Sequence, residues 1–275
     1  MRDSEFDFIR TLVYERSRIS LDPTKRELVA ARVAKRLRAN RLTSLAEYCR
    51  LLSAPEQEDE RSRLIDVIST NHTFFFREND HFEFVTRTIV PEMTARARPE
   101  GWARFHAWSA ACSSGEEPYS LGITLAEALA ASSWSWRIEA TDISHSMLET
   151  AETGIYRQAA IDETAPVWAR SYFQRGIGPQ VGNCRVRPAV KAGVAFRQHN
   201  LLDSLAAYPE PFQLIFCRNV MIYFDRPTQE ELVGKLARQL VPGGYLIIGH
   251  SESLAAVAHP LKQIRPSIYQ KPLRP

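Results

Sequence analysis

Apolar residues recur at helical spacing from residue 6 to about 87, and beyond about residue 98 they gather into short runs separated by helical segments. One early helix can be argued position by position. Asp22-Pro23 supplies an N-cap followed by proline at the first helical position, and no breaker intervenes before Asn40. At 100° per residue Val29, Val33 and Leu37 share a face with Ala30 and Ala34, whereas Lys25, Arg32, Lys35, Arg36 and Arg38 fan across the opposite one. This helix has an apolar back and a cationic front. Further helices are expected near 44–52 and 57–68.

In the second part, runs at 104–108, 137–141, 194–198, 214–217 and 245–249 read as strands, and 118–131, 144–153 and 228–240 as the helices that join them. Strands alternating with helices imply an α/β fold with a doubly wound, mostly parallel sheet. The run 267–271 is placed as a closing antiparallel strand. Between 175 and 188 the glycines and short β-like pieces of RGIGPQVGNCRVRP interrupt the rhythm, and a hairpin excursion is expected there.

The 275 residues suit one α/β domain with a smaller appendage, and the 44% apolar fraction provides for a real core. The charged start Met1-Arg2-Asp3-Ser4-Glu5 leads into no apolar targeting segment, and no run approaches a membrane span, so a cytoplasmic protein is expected. Cys49, Cys112, Cys184 and Cys217 lie far apart without C-x-x-C spacing; they read as reduced thiols, with no metal site or disulfide framework implied. A net charge of +3 is too small to imply nucleic-acid binding by itself.

Open parallel sheets bind ligands at the carboxyl ends of their strands. After the first strand comes Ser109-Ala110-Ala111-Cys112-Ser113-Ser114-Gly115-Glu116-Glu117-Pro118, a loop of small residues entering a helix. It is no G-x-G-x-x-G, and its acidic pair would repel a pyrophosphate, which disfavours a dinucleotide. S-adenosylmethionine (SAM) fits better, because it carries an ammonium that Glu117 can pair with and has no phosphate. After the second strand, Asp142 stands where a carboxylate would meet two ribose hydroxyls, or else caps the next helix. Asn200-Leu201 after the third strand offers an amide and an apolar cover for an adenine, and Arg218-Asn219 follows the fourth. In the linker, the phenylalanines of Asn71-His72-Thr73-Phe74-Phe75-Phe76-Arg77-Glu78 suit a core, whereas Asn71, Thr73 and Arg77 have directional side chains that a mere connector has little use for.

The segments NHTFFFRE, SAACSSGEEPYSLGI, ATDIS, FCRNVMIYF and PGGYLIIGHSES, in this order and spacing, resemble the chemotaxis receptor methyltransferase (CheR) family over nearly the whole chain. The resemblance implies an all-α N-terminal domain and linker over 1–87, then a SAM-dependent methyltransferase domain over 88–275 with a small β-subdomain inserted around 172–193. It assigns cofactor contacts to Asn71, Thr73, Arg77, Glu117, Asp142, Asn200, Leu201, Arg218 and Asn219, and catalytic positions to Arg77 and Tyr223. It implies methyl-esterification of glutamates on the cytoplasmic helical bundle of chemotaxis receptors for adaptation, with Arg32, Arg36 and Arg38 as a docking face. The β-subdomain resembles the element by which some relatives hold a receptor's C-terminal peptide. A SAM-binding receptor adaptor without catalysis is the alternative. Cys112-Ser113-Ser114 departs conservatively from the Ala-Ser-Thr of many relatives.

Overall fold

The computed structural model describes residues 1–204, 208 and 210–273. Four helices come first: α1 (Asp3–Ser17), α2 (Arg26–Ala39), α3 (Leu45–Ser53) and α4 (Glu58–Ile68). Asp22 accepts a hydrogen bond from the Thr24 amide at 2.8 Å and Pro23 opens a 3-10 turn that runs into α2, so the expected cap forms one turn ahead of the α-helix proper. Phe6, Ile9, Val13, Val29, Val33, Leu52 and Leu64 close the core of this bundle.

That core also contains a charge. Glu60 is only 4% exposed; it accepts two hydrogen bonds from Arg36, at 2.9 and 2.6 Å, and one from the Tyr48 hydroxyl at 2.8 Å. Burial would raise the Glu60 carboxyl, but Arg36 and Tyr48 outweigh it and hold the group below its ordinary range. Arg36 is therefore an internal ion-pair partner, and its expected place on a docking face is corrected. Arg32 departs from that face too: its guanidinium donates to the carbonyls of Ile68 and Ser69 and to the Thr70 hydroxyl, tying α2 to the exit of α4. Arg38 and Lys35 remain exposed, without an ion-pair partner among the described residues.

After α4 the chain crosses to a second unit through 69–78 and enters α5 (Asn79–Phe84), which passes through a π-helical turn (Val85–Ile89) into α6 (Val90–Ala97). A division at residue 87 thus falls inside one unbroken helical run. Its apolar residues Phe82, Phe84, Val85, Ile89, Val90 and Met93 pack on the sheet, which places the whole run with the second unit.

The sheet order is β6-β2-β1-β7-β8-β10-β9, built from β1 (Arg104–Ala110), β2 (Ser135–Asp142), β6 (Val194–Gln198), β7 (Phe212–Phe216), β8 (Leu240–Ile247), β9 (Lys262–Arg265) and β10 (Ile268–Gln270). The first five are parallel, and β10 and β9 are added antiparallel. The crossover helices are α7 (Glu116–Ala128), α8 (His145–Thr153) and α11 (Arg226–Gln239). Alternate residues of each strand feed opposite layers: in β1, Phe105 and Ala107 face the α6 and α7 side, whereas Trp108 and Ala110 face the α11 side. The chain moves outward from β1 to β2 and β6, then returns to β7 on the other side of β1. The switch of direction leaves a crevice above the β1/β7 junction.

The inserted subdomain is an antiparallel sheet of order β3-β5-β4, from β3 (Ile155–Arg157), β4 (Phe173–Arg175) and β5 (Asn183–Val186), with α9 (Gln158–Thr164) between β3 and β4. It opens with β3, well before the expected position 172, because β3 pairs with a strand 28 residues later in sequence, Tyr156 opposite Cys184. A short helix α10 (Pro188–Lys191) returns the chain to β6. Among the described residues, no helix is long and apolar enough to cross a membrane.

Candidate SAM site at the strand tips

Arg218, the second residue beyond β7, is the hub of the crevice. Its side chain is 1% exposed and lies between two carboxylates, donating to Glu117 at 3.1 Å and to Glu78 at 2.9 Å, with a further bond to the Arg77 carbonyl. Glu117 stands in the first turn of α7 and also accepts from the Ser109 hydroxyl at 2.7 Å. Burial pushes the Glu117 carboxyl above its ordinary range, and Arg218 and Ser109 hold it back in part. An added ammonium beside Glu117 would complete the compensation that one guanidinium shared by two acids leaves unfinished.

The loop from β1 to α7 is held in an unusual shape. Ala111 and Ser113 have left-handed backbones with φ of 70° and 48°. Gly115 has φ 97°, and a Cβ there would lie 2.8 Å from both Ala151 Cβ and the Tyr156 hydroxyl. Phe76, Glu78 and Asn219, on two other loops of the crevice, are left-handed as well. Strained backbone so concentrated is a mark of a ligand-holding surface. Asp142 terminates β2 and is buried; one of its oxygens accepts from the Ser113 amide at 2.7 Å and the other from the Ser144 amide at 2.9 Å. Ser144 itself caps α8, so Asp142 is not that helix's cap. Each oxygen accepts one of these amides and keeps a further lone pair for a diol. Burial raises this carboxyl also, with both amides opposing the shift.

The linker supplies the third wall. The Asn71 carbonyl accepts from the Ser113 hydroxyl at 3.1 Å, and the Arg77 guanidinium donates to the His72 carbonyl at 2.9 Å while lying 5.9 Å from the Phe74 ring centroid. Opposite stands Tyr223, on the 3-10 turn Met221–Tyr223. Its carbonyl accepts from the Ser20 amide at 2.8 Å, whereas its hydroxyl has no hydrogen-bond partner among the described residues. Glu252 organises this turn: it is buried and accepts from the amides of Asn219 (2.8 Å), Met221 (2.8 Å) and Gly249 (2.6 Å).

All the expected cofactor and catalytic positions line this one cavity, which is open to solvent in part. Asn200 is there but with its amide engaged: the side-chain nitrogen donates to the Arg16 carbonyl at 2.9 Å and its oxygen accepts from Leu202 at 3.1 Å. One N–H and one lone pair remain for a ligand. Leu201 beside it is buried. Glu78 and Glu252 do not stand out in the sequence. Both sit within the motifs, FFRE and GHSES, but their roles depend on which amides and guanidinium the fold brings to them.

The donor set and cradle suit a sulfonium nucleoside with an amino acid tail, and comparison with known proteins agrees. The family model described as the SAM binding domain of CheR methyltransferase matches residues 71–269, and the all-alpha domain model of the same family matches residues 4–69. The chain is 41% identical over 258 residues to a chemotaxis protein methyltransferase of Klebsiella aerogenes, covering 94% of this chain and 86% of that one. It is 41% identical over 255 residues to that of Salmonella typhimurium (93% and 85%) and 40% identical over 255 residues to that of Escherichia coli (93% and 86%). The expected fold, with an all-α domain ahead of an α/β methyltransferase domain, and the expected SAM cofactor both hold, and the chain belongs to the CheR methyltransferase family.

Proposed function

We propose that this methyltransferase esterifies glutamate side chains on the cytoplasmic helical bundle of chemotaxis receptors, producing glutamate methyl esters and S-adenosylhomocysteine for receptor adaptation. The supporting observation is that Arg77 and Tyr223, from opposite sides of the chain, line the same cavity as Glu117 and Asp142, with the Tyr223 hydroxyl unengaged.

Bound SAM supplies a methyl group activated on a sulfonium. Glu117 would hold the ammonium of its tail, Asp142 would receive the ribose hydroxyls, and Leu201 and Asn200 would flank the adenine. A substrate glutamate, of ordinary pKa about 4.3, is already ionised at neutral pH, so no general base is needed. The carboxylate oxygen would be the methyl acceptor, and the electron pair of the broken C–S bond would remain on the sulfur of the S-adenosylhomocysteine released. The site's main contribution is alignment, which can be worth about 7–11 kcal/mol. Two opposite charges vanish along this path, so a tight guanidinium clamp would favour the ionised ground state. Arg77, already bonded to the His72 carbonyl, acts by orienting the incoming carboxylate, and Tyr223 donates a single hydrogen bond.

Docking falls to the exposed part of α2, Lys35 and Arg38, facing an acidic receptor surface. The three-stranded subdomain keeps β3 and β4 as free edges, and Ile177 and Val181 are exposed beside them, which suits strand addition by a receptor's C-terminal peptide. Incubation with methyl-tritiated SAM and receptor fragments tests the proposal. Base-labile volatile label is expected. Binding of receptor without transferred label would instead support an adaptor, and label stable to base would place the methyl on another acceptor.

A further inference from the structure

Beside the Arg218 hub, Glu78 and His81 meet His250, and one side-chain donor atom from each lies within 4.8 Å of the other two. The surrounding hydrogen bonds fix the tautomer of His81. The Ser267 hydroxyl donates to the Pro266 carbonyl at 2.6 Å, so towards His81 Nε2, 2.7 Å away, it can only accept. Nε2 therefore carries the N–H and Nδ1 carries a lone pair. His81 is fully buried, its Nδ1 has no hydrogen-bond partner, and that lone pair stands 3.5 Å from Glu78 Oε2. Glu78 Oε2 also accepts from the Arg218 guanidinium at 2.9 Å and from the His250 amide at 3.2 Å, so the lone pair of His81 faces an oxygen that is already held in place. The Nδ1–Oε2 separation is close to the roughly 3.4 Å edge of a tetrahedron with metal–ligand bonds of about 2.1 Å.

His250 completes the arrangement. Its ring centroid is 4.6 Å from that of His81, and its side chain, 48% exposed, can turn and gives an ion a path from solvent. Its Nε2 pairs with Asp80 at 3.1 Å, the kind of carboxylate–histidine contact that orients a metal-bound imidazole. Arg218 already donates to Glu78, so a hard cation that depends on carboxylates would compete for its single anionic ligand. A borderline transition metal draws its affinity from imidazole nitrogen and suits the set. The sequence gives no sign of this site, because His250 lies far along the chain from Glu78 and His81.

We propose that Glu78, His81 and His250 bind a transition-metal ion of the zinc class, and that the bound ion weakens SAM binding by drawing Glu78 away from Arg218 and Asn219. Glu78 is the shared element: its other oxygen accepts from Asn219 at 3.3 Å, and Arg218 carries the connection to Glu117. The second half of the proposal rests on SAM occupying the crevice beside Glu117; the first half does not.

The full-length protein, stripped with a chelator, is titrated with zinc against a chromophoric zinc indicator, and with cobalt while its visible spectrum is followed. One zinc per chain is expected, with tetrahedral cobalt bands and no sulfur-to-metal charge transfer. His250→Ala should weaken zinc at least about tenfold and keep the metal-free affinity for SAM. His81→Gln, accepted only if its melting curve shows a folded protein, should weaken zinc similarly. Zinc should raise the Kd for SAM about tenfold in the parent protein and leave it unchanged in His250→Ala. Equal zinc affinity in the parent and His250→Ala, or charge transfer from sulfur, overturns the site. Zinc bound through His250 with no change in SAM affinity overturns the coupling.

Discussion

The amide of Ser20 donates to the carbonyl of Tyr223 at 2.8 Å, so the segment joining α1 to α2 is bonded to the turn that carries the tyrosine. Two more bonds lie along the same seam: the Tyr14 hydroxyl to Asp225 at 2.6 Å, and Asn200 to the Arg16 carbonyl at 2.9 Å. The helical domain is therefore a wall of the cofactor cavity. Tyr14→Phe removes one partly exposed hydrogen bond to a carboxylate and should cost about 1–2 kcal/mol in denaturant unfolding. It should also lower kcat, through the loosened turn, more than it changes the Kd for SAM.

Arg218→Met leaves the partly enclosed Glu78 and Glu117 without their shared, fully buried cation. Breaking a buried ion pair from one side costs about 3–5 kcal/mol. Thermal unfolding should show that loss, and calorimetry should find no SAM binding at concentrations that saturate the parent. Unchanged stability would mean that the two carboxyls simply hold protons.

Glu117 connects SAM binding to pH. Its carboxyl is raised by burial, so the SAM-free protein holds a proton there at higher pH than an ordinary glutamate would. Taken alone, the raised group disfavours the folded state above its own pKa, and this cost is relieved as pH falls through it. An ammonium ligand favours the ionised form, so binding releases the proton. The affinity for SAM should therefore rise with pH up to that raised pKa and level off above it, in chelator-treated protein. Glu117→Gln should bind about 10–100-fold more weakly and flatten the profile. A parent profile as flat as the variant's would remove Glu117 from ammonium binding.

Arg77→Ala and Tyr223→Phe separate two roles. Loss of orientation at Arg77 should lower kcat on receptor fragments by about 100-fold, the order expected from misplacing a reactant. Tyr223→Phe removes one donor and should lower kcat about tenfold, with the Kd for SAM unchanged. If Arg77→Ala affected only KM, the orienting role would be wrong.

On α2 the basic residues divide between those engaged within the fold, Arg32 and Arg36, and those left exposed, Lys35 and Arg38. Glu60→Ala strands Arg36 and should destabilise the protein by about 3 kcal/mol at any salt concentration. Arg38→Glu with Lys35→Glu should leave the melting temperature within a degree or two, weaken methylation of receptor, and reduce its salt sensitivity, while SAM binding keeps its own. Parallel salt curves for the charge-reversed and parent proteins would show that docking lies elsewhere.

The strand tips are legible in the sequence because their chemistry is local. Small residues before a helix, a carboxylate ending a strand and an Arg-Asn pair after another each need only a few consecutive residues, and the parallel sheet then brings them together. The cationic face of α2 misleads because periodicity gives a direction, and the contacts made in that direction depend on α4: Arg36 meets Glu60, 24 residues away. The subdomain's first strand escapes a sequence reading for a related reason. Ile155–Arg157 is three residues long with a single buried side chain, too short for an alternating pattern, and it becomes a strand only when β5 arrives beside it. Glu78 and Glu252 are ordinary surface-type residues in the sequence, and only tertiary contacts bury them.

Tyr156 of β3 donates to the Ser114 carbonyl at 2.7 Å and presses its ring edge-on to Phe75, which also meets Phe173 of β4 at 5.0 Å. The subdomain is thus mortared into the masonry around Gly115, and cutting it out whole would demolish the cofactor loop along with any tether. Evolution could re-face the outer edges of β3 and β4 for new partners, or leave them bare, but the inward side of this sheet is a foundation that every such remodelling has to keep.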